Sequence, residues 1–255
     1  MSKVIVITGA SAGIGAELAK QLTARGDQIM LAARNEENLN KVAQACSKGA
    51  AICVTDVTRR ADIVRLQEET IRTFGHIDVW INNAGRGISK KVALLADAEF
   101  DEMMLVNVKS ALYGMQAIVP YFQEQRNGHI INVSSALSRI PFATFRSAYS
   151  AAKAALNSLT ANLRMDLQAE YPDIHVSLVM PGMVLTDFAK NALGGTPPMP
   201  PSAAANAQSA DDVAAVIADL IEHPQPEVYT NPGSADMVRR YSEDVGKFEA
   251  NMQRR

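Results

Sequence analysis

The sequence predicts an α/β fold: one domain in which a parallel sheet carries helices on both faces. Two observations predict it. Short apolar runs with the length of buried strands alternate with helix-like segments from Val4 to about Thr230. No Pro/Ser-rich linker, charge block or internal repeat interrupts that alternation within the 255 residues. Strands that alternate with helices form a parallel sheet, because each helix carries the chain back to begin the next strand.

The first strand, turn and helix predict a dinucleotide site. Lys3 to Thr8 is an apolar β-branched run, and Ala16 to Ala24 has helical composition and stops near Gly26. The turn between them reads Gly9-Ala10-Ser11-Ala12-Gly13-Ile14-Gly15. Glycines let a backbone approach a pyrophosphate, which the free N–H groups of a helix N-terminus can hold. The spacing is Gly-x-x-x-Gly-x-Gly, and the alternative interpretation is an ordinary tight turn.

The second strand, about Gln28 to Ala32, predicts which dinucleotide binds. It ends at Arg34, whereas an NAD site usually presents an acidic residue there for the ribose 2′-hydroxyl. An arginine suits a 2′-phosphate instead. Glu36 and Glu37 are expected to be first-turn acids of the next helix. NADP is therefore the predicted cofactor, and the alternative is a surface arginine without a ligand.

The remaining elements follow in order. Later strands are expected at Ile77 to Asn82, His129 to Ser134, Ile174 to Met180 and Glu227 to Thr230. Ser209-Ala210-Asp211-Asp212 resembles a helix cap, and its helix should run to about Glu222.

Ser135, Tyr149 and Lys153 predict redox chemistry. Tyr149 and Lys153 are four residues apart in an Ala-rich run, so on a helix they share one face. A cation beside a phenol favours the phenolate and is expected to lower the tyrosine pKa from about 10. Such a phenol can donate a proton to a carbonyl oxygen or accept one from an alcohol. The alternative is an ordinary pair of exposed helix side chains.

Seven motifs in chain order resemble those of the short-chain dehydrogenase/reductase family. They are Thr8-Gly9-Ala10-Ser11-Ala12-Gly13-Ile14-Gly15, Asp56-Val57, Asn82-Asn83-Ala84-Gly85, Val106-Asn107-Val108, Asn132-Val133-Ser134-Ser135, Tyr149 with Lys153, and Pro181-Gly182 with Thr186. The resemblance implies a Rossmann-like, doubly wound sheet of seven strands in the order 3-2-1-4-5-6-7. It also implies catalytic roles for Asn107, Ser135, Tyr149 and Lys153.

The same resemblance implies a set of residues that contact NADP. These residues are Gly9, Ser11, Ala12, Gly13, Ile14, Gly15, Arg34, Asp56, Val57, Asn83, Ala84, Gly85, Tyr149, Lys153, Pro181, Gly182, Val184 and Thr186. The expected activity is NADPH-dependent hydride transfer between the nicotinamide and a ketone, aldehyde or secondary alcohol. Two alternatives stay open: a ketoacyl-thioester reductase and a non-catalytic NADP-binding regulator. Arg86-Gly87-Ile88-Ser89 departs from the Ile-Thr-Arg-Asp that often follows in thioester reductases.

Composition excludes several other classes. The net charge of −2 and pI near 6.1 offer no basic surface for nucleic acid. The first strand begins too early to leave room for a signal peptide, and no apolar run is long enough to span a bilayer. Cys46 and Cys53 lack metal-ligand spacing, and the four histidines form no cluster. We therefore expect a cytoplasmic protein with reduced thiols and no metal.

Two segments are expected to lie outside the catalytic core. Residues 183–208 are the least regular and are predicted to form a substrate lid, in which Phe188, Leu193 and Met199 either line the site or only pack. Residues 1–233 would then be the catalytic domain and 234–255 an amphipathic helix. The apolar positions of that helix are Met237, Val238, Tyr241, Val245, Phe248 and Met252. The helix either packs on its own subunit or crosses to a partner in a homodimer or homotetramer.

Overall fold

A computed structural model describes residues 2–195 and 207–253 of the chain. Its strands are β1 Val4–Thr8, β2 Gln28–Ala33, β3 Ala50–Val54, β4 Val79–Asn82, β5 Gly128–Val133, β6 Ile174–Met180, β7 Val184–Leu185, β8 Gln208–Ser209 and β9 Glu227–Tyr229. Its helices are α1 Gly13–Ala24, α2 Glu36–Ala45, α3 Arg60–Phe74, α4 Asp97–Met104, α5 Ser110–Gln125, α6 Ser147–Gln168, α7 Ala210–Glu222, α8 Pro232–Glu243 and α9 Val245–Gln253.

Seven parallel strands form the main sheet in the order β3-β2-β1-β4-β5-β6-β9. This confirms the predicted Rossmann-like α/β fold and its strand order. The seventh strand of the sheet is β9 in chain order because the short parallel pair of β7 and β8 forms separately, between β6 and β9. That pair lies where the sequence predicts only an irregular lid.

Helices cover both faces of the sheet. On one face, buried side chains of α1, α2 and α7 pack against the strands, with Leu18, Leu39 and Ile217 among them. On the other face, α3, α5 and α6 bury Leu66, Phe122 and other apolar side chains against Trp80 of β4. Each strand of the centre is therefore apolar on both sides, as parallel sheets require.

Strand register places the predicted motifs along one edge of the sheet. Asn82 of β4 pairs with Asn132 of β5, and Asn132 pairs with Leu178 of β6. The residues that follow β4, β5 and β6 therefore emerge side by side. Ligand sites in open parallel sheets form at this carboxyl edge.

Local capping agrees with the sequence at two helices. Glu36 and Glu37 lie in the first turn of α2, whose start is capped by Asn35. Ser209 and Asp212 form a reciprocal capping box at the start of α7, because each side chain accepts from the other's backbone N–H. The N-termini of these two helices could be predicted from the sequence, because a capping residue and its partner are three positions apart.

The C-terminal segment corrects one prediction. A single helix from about Ser234 is wrong, because Asp244 leaves the helical conformation at φ −156° and ψ 92° and separates α8 from α9. The two helices contact each other through Tyr241 and Phe248, whose ring centroids are 5.4 Å apart. No residue of α8 is buried. None of the helices in the described part of the chain is long and apolar enough to cross a bilayer.

Candidate active site

The glycine-rich turn after β1 approaches the backbone that follows β4. Gly9 has φ +68°, and a Cβ at this position would lie 2.8 Å from the Cα of Ala84. Both the conformation and the space therefore require glycine. Thr8 joins the same two strand ends, because its Oγ1 accepts from the N–H groups of Asn83 and Ala84 at 3.0 and 3.2 Å.

The start of α1 has no side-chain cap. Ala12 occupies the N-cap position and offers no side-chain acceptor to the first-turn N–H groups. Free N–H groups at a helix start bind phosphates. Gly13 lies beneath Thr186, since a Cβ on Gly13 would be 3.2 Å from Thr186 Cγ2. The turn and the segment after β6 therefore face each other, and these residues fit a dinucleotide pyrophosphate.

Arg34 and Asp56 follow the neighbouring strands β2 and β3. Arg34 is exposed, and Asp56 is half-buried. Burial acts to raise the pKa of Asp56, but hydrogen bonds from Thr58 and the positive charges of Arg34 and Arg59 hold that pKa below its ordinary value. Arg59 was not among the predicted site residues. Arg59 directly precedes α3 and stands three positions after Asp56, which follows β3. This short spacing could have predicted that the two side chains lie close together.

Ser135, Tyr149 and Lys153 converge below the carboxyl end of β5. Ser135 follows β5, the other two lie one turn apart on α6, and all three are buried, with exposures of 6%, 8% and 3%. Ser135 and Tyr149 hydrogen-bond through their side chains. Lys153 Nζ donates to the Val133 carbonyl at 2.8 Å and lies 5.8 Å from the centroid of the Tyr149 ring. The fold thus brings together the three side chains that the sequence proposes as an acid/base group.

Burial changes the electrostatics that the sequence predicts for this group. Burial raises the pKa of Tyr149, although its hydrogen bond with Ser135 and the charge of Arg146 act in the opposite direction. The prediction of a lowered Tyr149 pKa is therefore wrong. Burial also lowers the pKa of Lys153 to about 8. The sequence pattern contains the charge of the lysine but not the loss of solvent around both groups.

Asn107 lies in a π-helical turn, Leu105–Lys109, between α4 and α5. Its amide Nδ2 donates to the Arg86 carbonyl at 2.9 Å, and its Oδ1 accepts from the Arg86 N–H at 3.1 Å. Gly85 stands between two of the predicted residues, because a Cβ there would be 2.9 Å from Asn107 Oδ1 and 3.5 Å from Lys153 Nζ. Single π turns inside helices are frequent at functional sites.

The segment after β6 closes the cofactor side of the site. The Pro181 carbonyl accepts from the N–H of Ala136, next to Ser135, at 2.8 Å. Gly182 lies beside the first turn of α8, where a Cβ on the glycine would be 3.4 Å from Ser234 Oγ. Val184 belongs to β7 and packs on the core of the α1 face. Ser11, Ile14, Gly15 and Val57 lie in the glycine-rich turn, in α1 and after β3, as their sequence positions require.

The predicted lid divides into residues with different surroundings. Phe188 is partly exposed, and its ring lies edge-on to Tyr149 with centroids 5.6 Å apart. Leu193 packs against a small buried cluster that includes Ile88 and Tyr149. Residues 196–206 of the lid, Met199 among them, lie outside the described residues.

Two residues close to Tyr149 were not predicted from the sequence. Arg146 donates from Nη1 to the Ile88 carbonyl at 3.1 Å. Gly87 lies beneath it, since a Cβ on Gly87 would be 2.8 Å from that Nη1. Arg146 precedes Tyr149 by three residues, and helical spacing alone could have placed the two on one face. Within residues 2–195 and 207–253, no three His, Cys, Asp or Glu side chains form a metal-binding group.

The profile of the family described as "short chain dehydrogenase" matches residues 3–195. The chain belongs to this family. This short-chain dehydrogenase is also 39% identical to an uncharacterised oxidoreductase of Staphylococcus epidermidis over 188 residues. The aligned region covers 74% of this chain and 80% of that protein. An uncharacterised oxidoreductase of Staphylococcus aureus is 38% identical over 185 residues, or 72% of this chain and 79% of its own length.

Solved structures of the same fold contain either nucleotide. A short-chain dehydrogenase/reductase of Burkholderia phymatum in complex with NAD has a TM-score of 0.86 at 26% identity, over 96% of this chain and 94% of that one. An alcohol dehydrogenase of Thermococcus sibiricus complexed with 5-hydroxy-NADP has a TM-score of 0.76 at 26% identity, over 90% of this chain and 96% of that one. The short-chain dehydrogenase described here is thus an oxidoreductase of a family whose members bind NAD or NADP.

Proposed function

We propose that this chain is an NADPH-dependent oxidoreductase that interconverts a ketone or aldehyde with the corresponding alcohol. One observation carries the proposal: Tyr149, Ser135 and Lys153 meet in a buried group at the carboxyl edge of the sheet. They lie below a glycine-rich turn whose residues fit a dinucleotide. A proton donor beside a hydride donor is what carbonyl reduction requires.

The bound nicotinamide supplies or accepts the hydride, and the protein positions the substrate and moves the proton. In reduction, the Tyr149 hydroxyl donates its proton to the substrate oxygen. Ser135 Oγ donates a hydrogen bond to the same oxygen and holds it in place. Burial raises the pKa of Tyr149 and so favours the protonated phenol, which is the form that a proton donor requires.

Lys153 and Asn107 support proton transfer by the tyrosine without donating the proton themselves. The Lys153 ammonium is charged below a pKa of about 8 and stabilises the phenolate that remains after proton transfer. It also binds the nicotinamide ribose. Asn107 ties the Arg86 backbone to the π turn and helps hold a water that links Lys153 to solvent.

The preference for NADPH rests on positive charge at the adenosine end. Arg34 stands at the end of β2 where an acidic residue would bind a 2′-hydroxyl. Arg59 adds a second positive charge, and both act on Asp56 between them. Two guanidinium groups suit a 2′-phosphate better than a 2′-hydroxyl.

Exposed apolar side chains and free thiols bear on the assembly and the compartment. We propose a homodimer or homotetramer, because α6 exposes Met165 and the C-terminal helices leave apolar side chains exposed. Cys46 and Cys53 are free thiols, which fits the reducing environment of the cytoplasm.

A spectrophotometric screen tests the function. NADPH oxidation is followed with ketones, aldehydes, steroids, sugars and ketoacyl thioesters, with Tyr149→Phe as the matched inactive variant. We expect turnover with a free ketone or aldehyde that the variant lacks. Turnover of thioesters alone would replace the proposal with a thioester reductase, and tight NADPH binding without any turnover would replace it with a regulator.

A further inference from the structure

Arg146 lies beside the proposed catalytic tyrosine, and no step of the proposed reaction uses it. It directly precedes α6, three residues before Tyr149, and its charge acts on the tyrosine hydroxyl. Its side chain is half-buried under the segment that follows β4. The Ile88 carbonyl accepts one hydrogen bond from it, at 3.1 Å.

The guanidinium has no acidic partner in the part of the chain that the structure describes. Among residues 2–195 and 207–253, no carboxylate oxygen lies within ion-pair distance of Arg146. The acids on adjoining segments already pair with other cations: Glu99 with Lys90, Glu102 with Arg86, and Asp187 with Lys190. A guanidinium carries five N–H donors, and the described side chains and backbone use one of them. A partly desolvated cation with unused donors favours an anionic ligand.

Phe188 links the surroundings of Arg146 to those of Tyr149. Gly87 lets two side chains pack closely over its Cα, because a Cβ there would be 2.8 Å from Arg146 Nη1 and 2.9 Å from Phe188 Cε1. The Phe188 ring in turn lies 5.6 Å from the ring of Tyr149, centroid to centroid. The arginine and the tyrosine are therefore both neighbours of Phe188.

We propose that the substrate is an oxo acid, or the matching hydroxy acid in the reverse direction, with its carboxylate bound by Arg146. The inference rests on the proposed function, because it places the substrate carbonyl at Tyr149. The planar guanidinium matches a carboxylate with two parallel hydrogen bonds. A neutral ester of the same shape offers neither the charge nor the second strong acceptor.

Matched acid and ester pairs test the proposal. Initial rates are measured with pyruvate, acetoacetate and levulinate and with the methyl ester of each, on the wild type, Arg146→Gln, Arg146→Lys and Arg72→Gln. Arg72 is the control because it is an exposed arginine whose ion pair, among the described residues, is with Glu69 on α3. Calorimetric titration of the preferred acid gives a second readout that does not depend on turnover.

We expect the wild type to prefer at least one acid over its ester by about ten- to hundredfold in kcat/KM. Arg146→Gln should lower that acid-to-ester ratio at least tenfold, mainly by raising KM for the acid and weakening its calorimetric affinity. Arg146→Lys should restore part of the ratio, and Arg72→Gln should leave it as in the wild type.

Equal kcat/KM for acids and esters in the wild type would overturn the substrate inference while leaving the proposed reductase function intact. The substrate inference would also be overturned if Arg146→Gln lowers both substrates equally and shifts the pH profile, because the arginine would then act through Tyr149. Failure of every acid, ester and neutral carbonyl to oxidise NADPH would overturn the proposed function together with the inference.

Discussion

Helix α6 and the C-terminal pair α8 and α9 have similar apolar periodicity but opposite surroundings. In α6, a stripe that includes Tyr149, Lys153 and Leu156 is buried against the sheet. In α8, no residue is buried, and the pair meets mainly through Tyr241 and Phe248. The difference is position: α6 packs on the face of the sheet beside β5 and β6, whereas α8 follows the edge strand β9. Periodicity defines an apolar face, but topology decides what covers it.

Burial also explains why the proposed acid/base group lies on α6. Neighbouring atoms hold the orientation of a side chain within the core. Because little water surrounds it, its electrostatic interactions are also stronger than at the surface. The Lys153 ammonium and the Tyr149 phenol have shifted pKa values for this reason. The exposed side chains of α8 and α9 have neither constraint. Matched substitutions in the two regions therefore test the comparison directly.

The largest expected difference concerns two tyrosines. Tyr149→Phe should lower kcat by about 10²–10⁴-fold, because it removes the transferred proton, while the melting temperature and the NADPH Kd change little. Tyr241→Phe in α8 removes a hydroxyl that hydrogen-bonds Glu249 at 3.4 Å, and it should leave kcat unchanged. If Tyr149→Phe keeps a tenth or more of the activity, Tyr149 is not the acid.

Two lysines give the next contrast. Lys153→Ala should lower kcat on the order of a hundredfold and weaken NADPH binding, since the ammonium serves both. Lys247→Ala in α9 should change neither kcat nor the affinity for NADPH.

The pH dependence of the wild type tests the same ammonium. Its kcat/KM for reduction should fall as the pH rises through about 8, because Lys153 loses its charge there. A profile that stays flat well above that pH would contradict the role assigned to the ammonium.

A smaller effect is expected from two arginines, one after β2 in the proposed cofactor site and one in α8. Arg34→Asp should erase or reverse an NADPH preference of about ten- to hundredfold, because a charge-assisted contact with phosphate contributes about 1.5–3 kcal/mol. Arg240→Asp on the exposed face of α8 is the control. Equal kcat/KM for NADPH and NADH in the unmodified protein would remove the basis of the assignment to Arg34.

The smallest expected effect comes from removing the tail. A chain that ends at Gly233 should lose little thermal stability, because α8 buries no residue. It should form smaller oligomers and show a raised substrate KM, since Ser234 lies beside Gly182 at the cofactor side of the site. A large fall in melting temperature with unchanged mass and KM would instead make the tail part of its own subunit's core.

Much of the site was predictable because it depends on local sequence. The glycine-rich turn needs glycine for a positive φ and for its close approach to the backbone after β4, so a short motif is enough to predict its conformation. Tyr149 and Lys153 were placed together by helical spacing, and Arg34 by its position at a strand end. Arg146 and Arg59 were not predicted, although each lies three positions from a predicted residue, because neither belongs to one of the seven family motifs.

The sequence by itself determined the α/β class, the strand order implied by the family resemblance, and the residues that meet at the carboxyl edge. These follow from periodicity, glycine geometry and spacing, which act over a few residues. Only the tertiary structure decided the direction of the Tyr149 pKa, the break at Asp244 and the contact of Phe188 with Tyr149. Each of these depends on how much solvent and which distant atoms surround a group, and that is determined only when the segments pack.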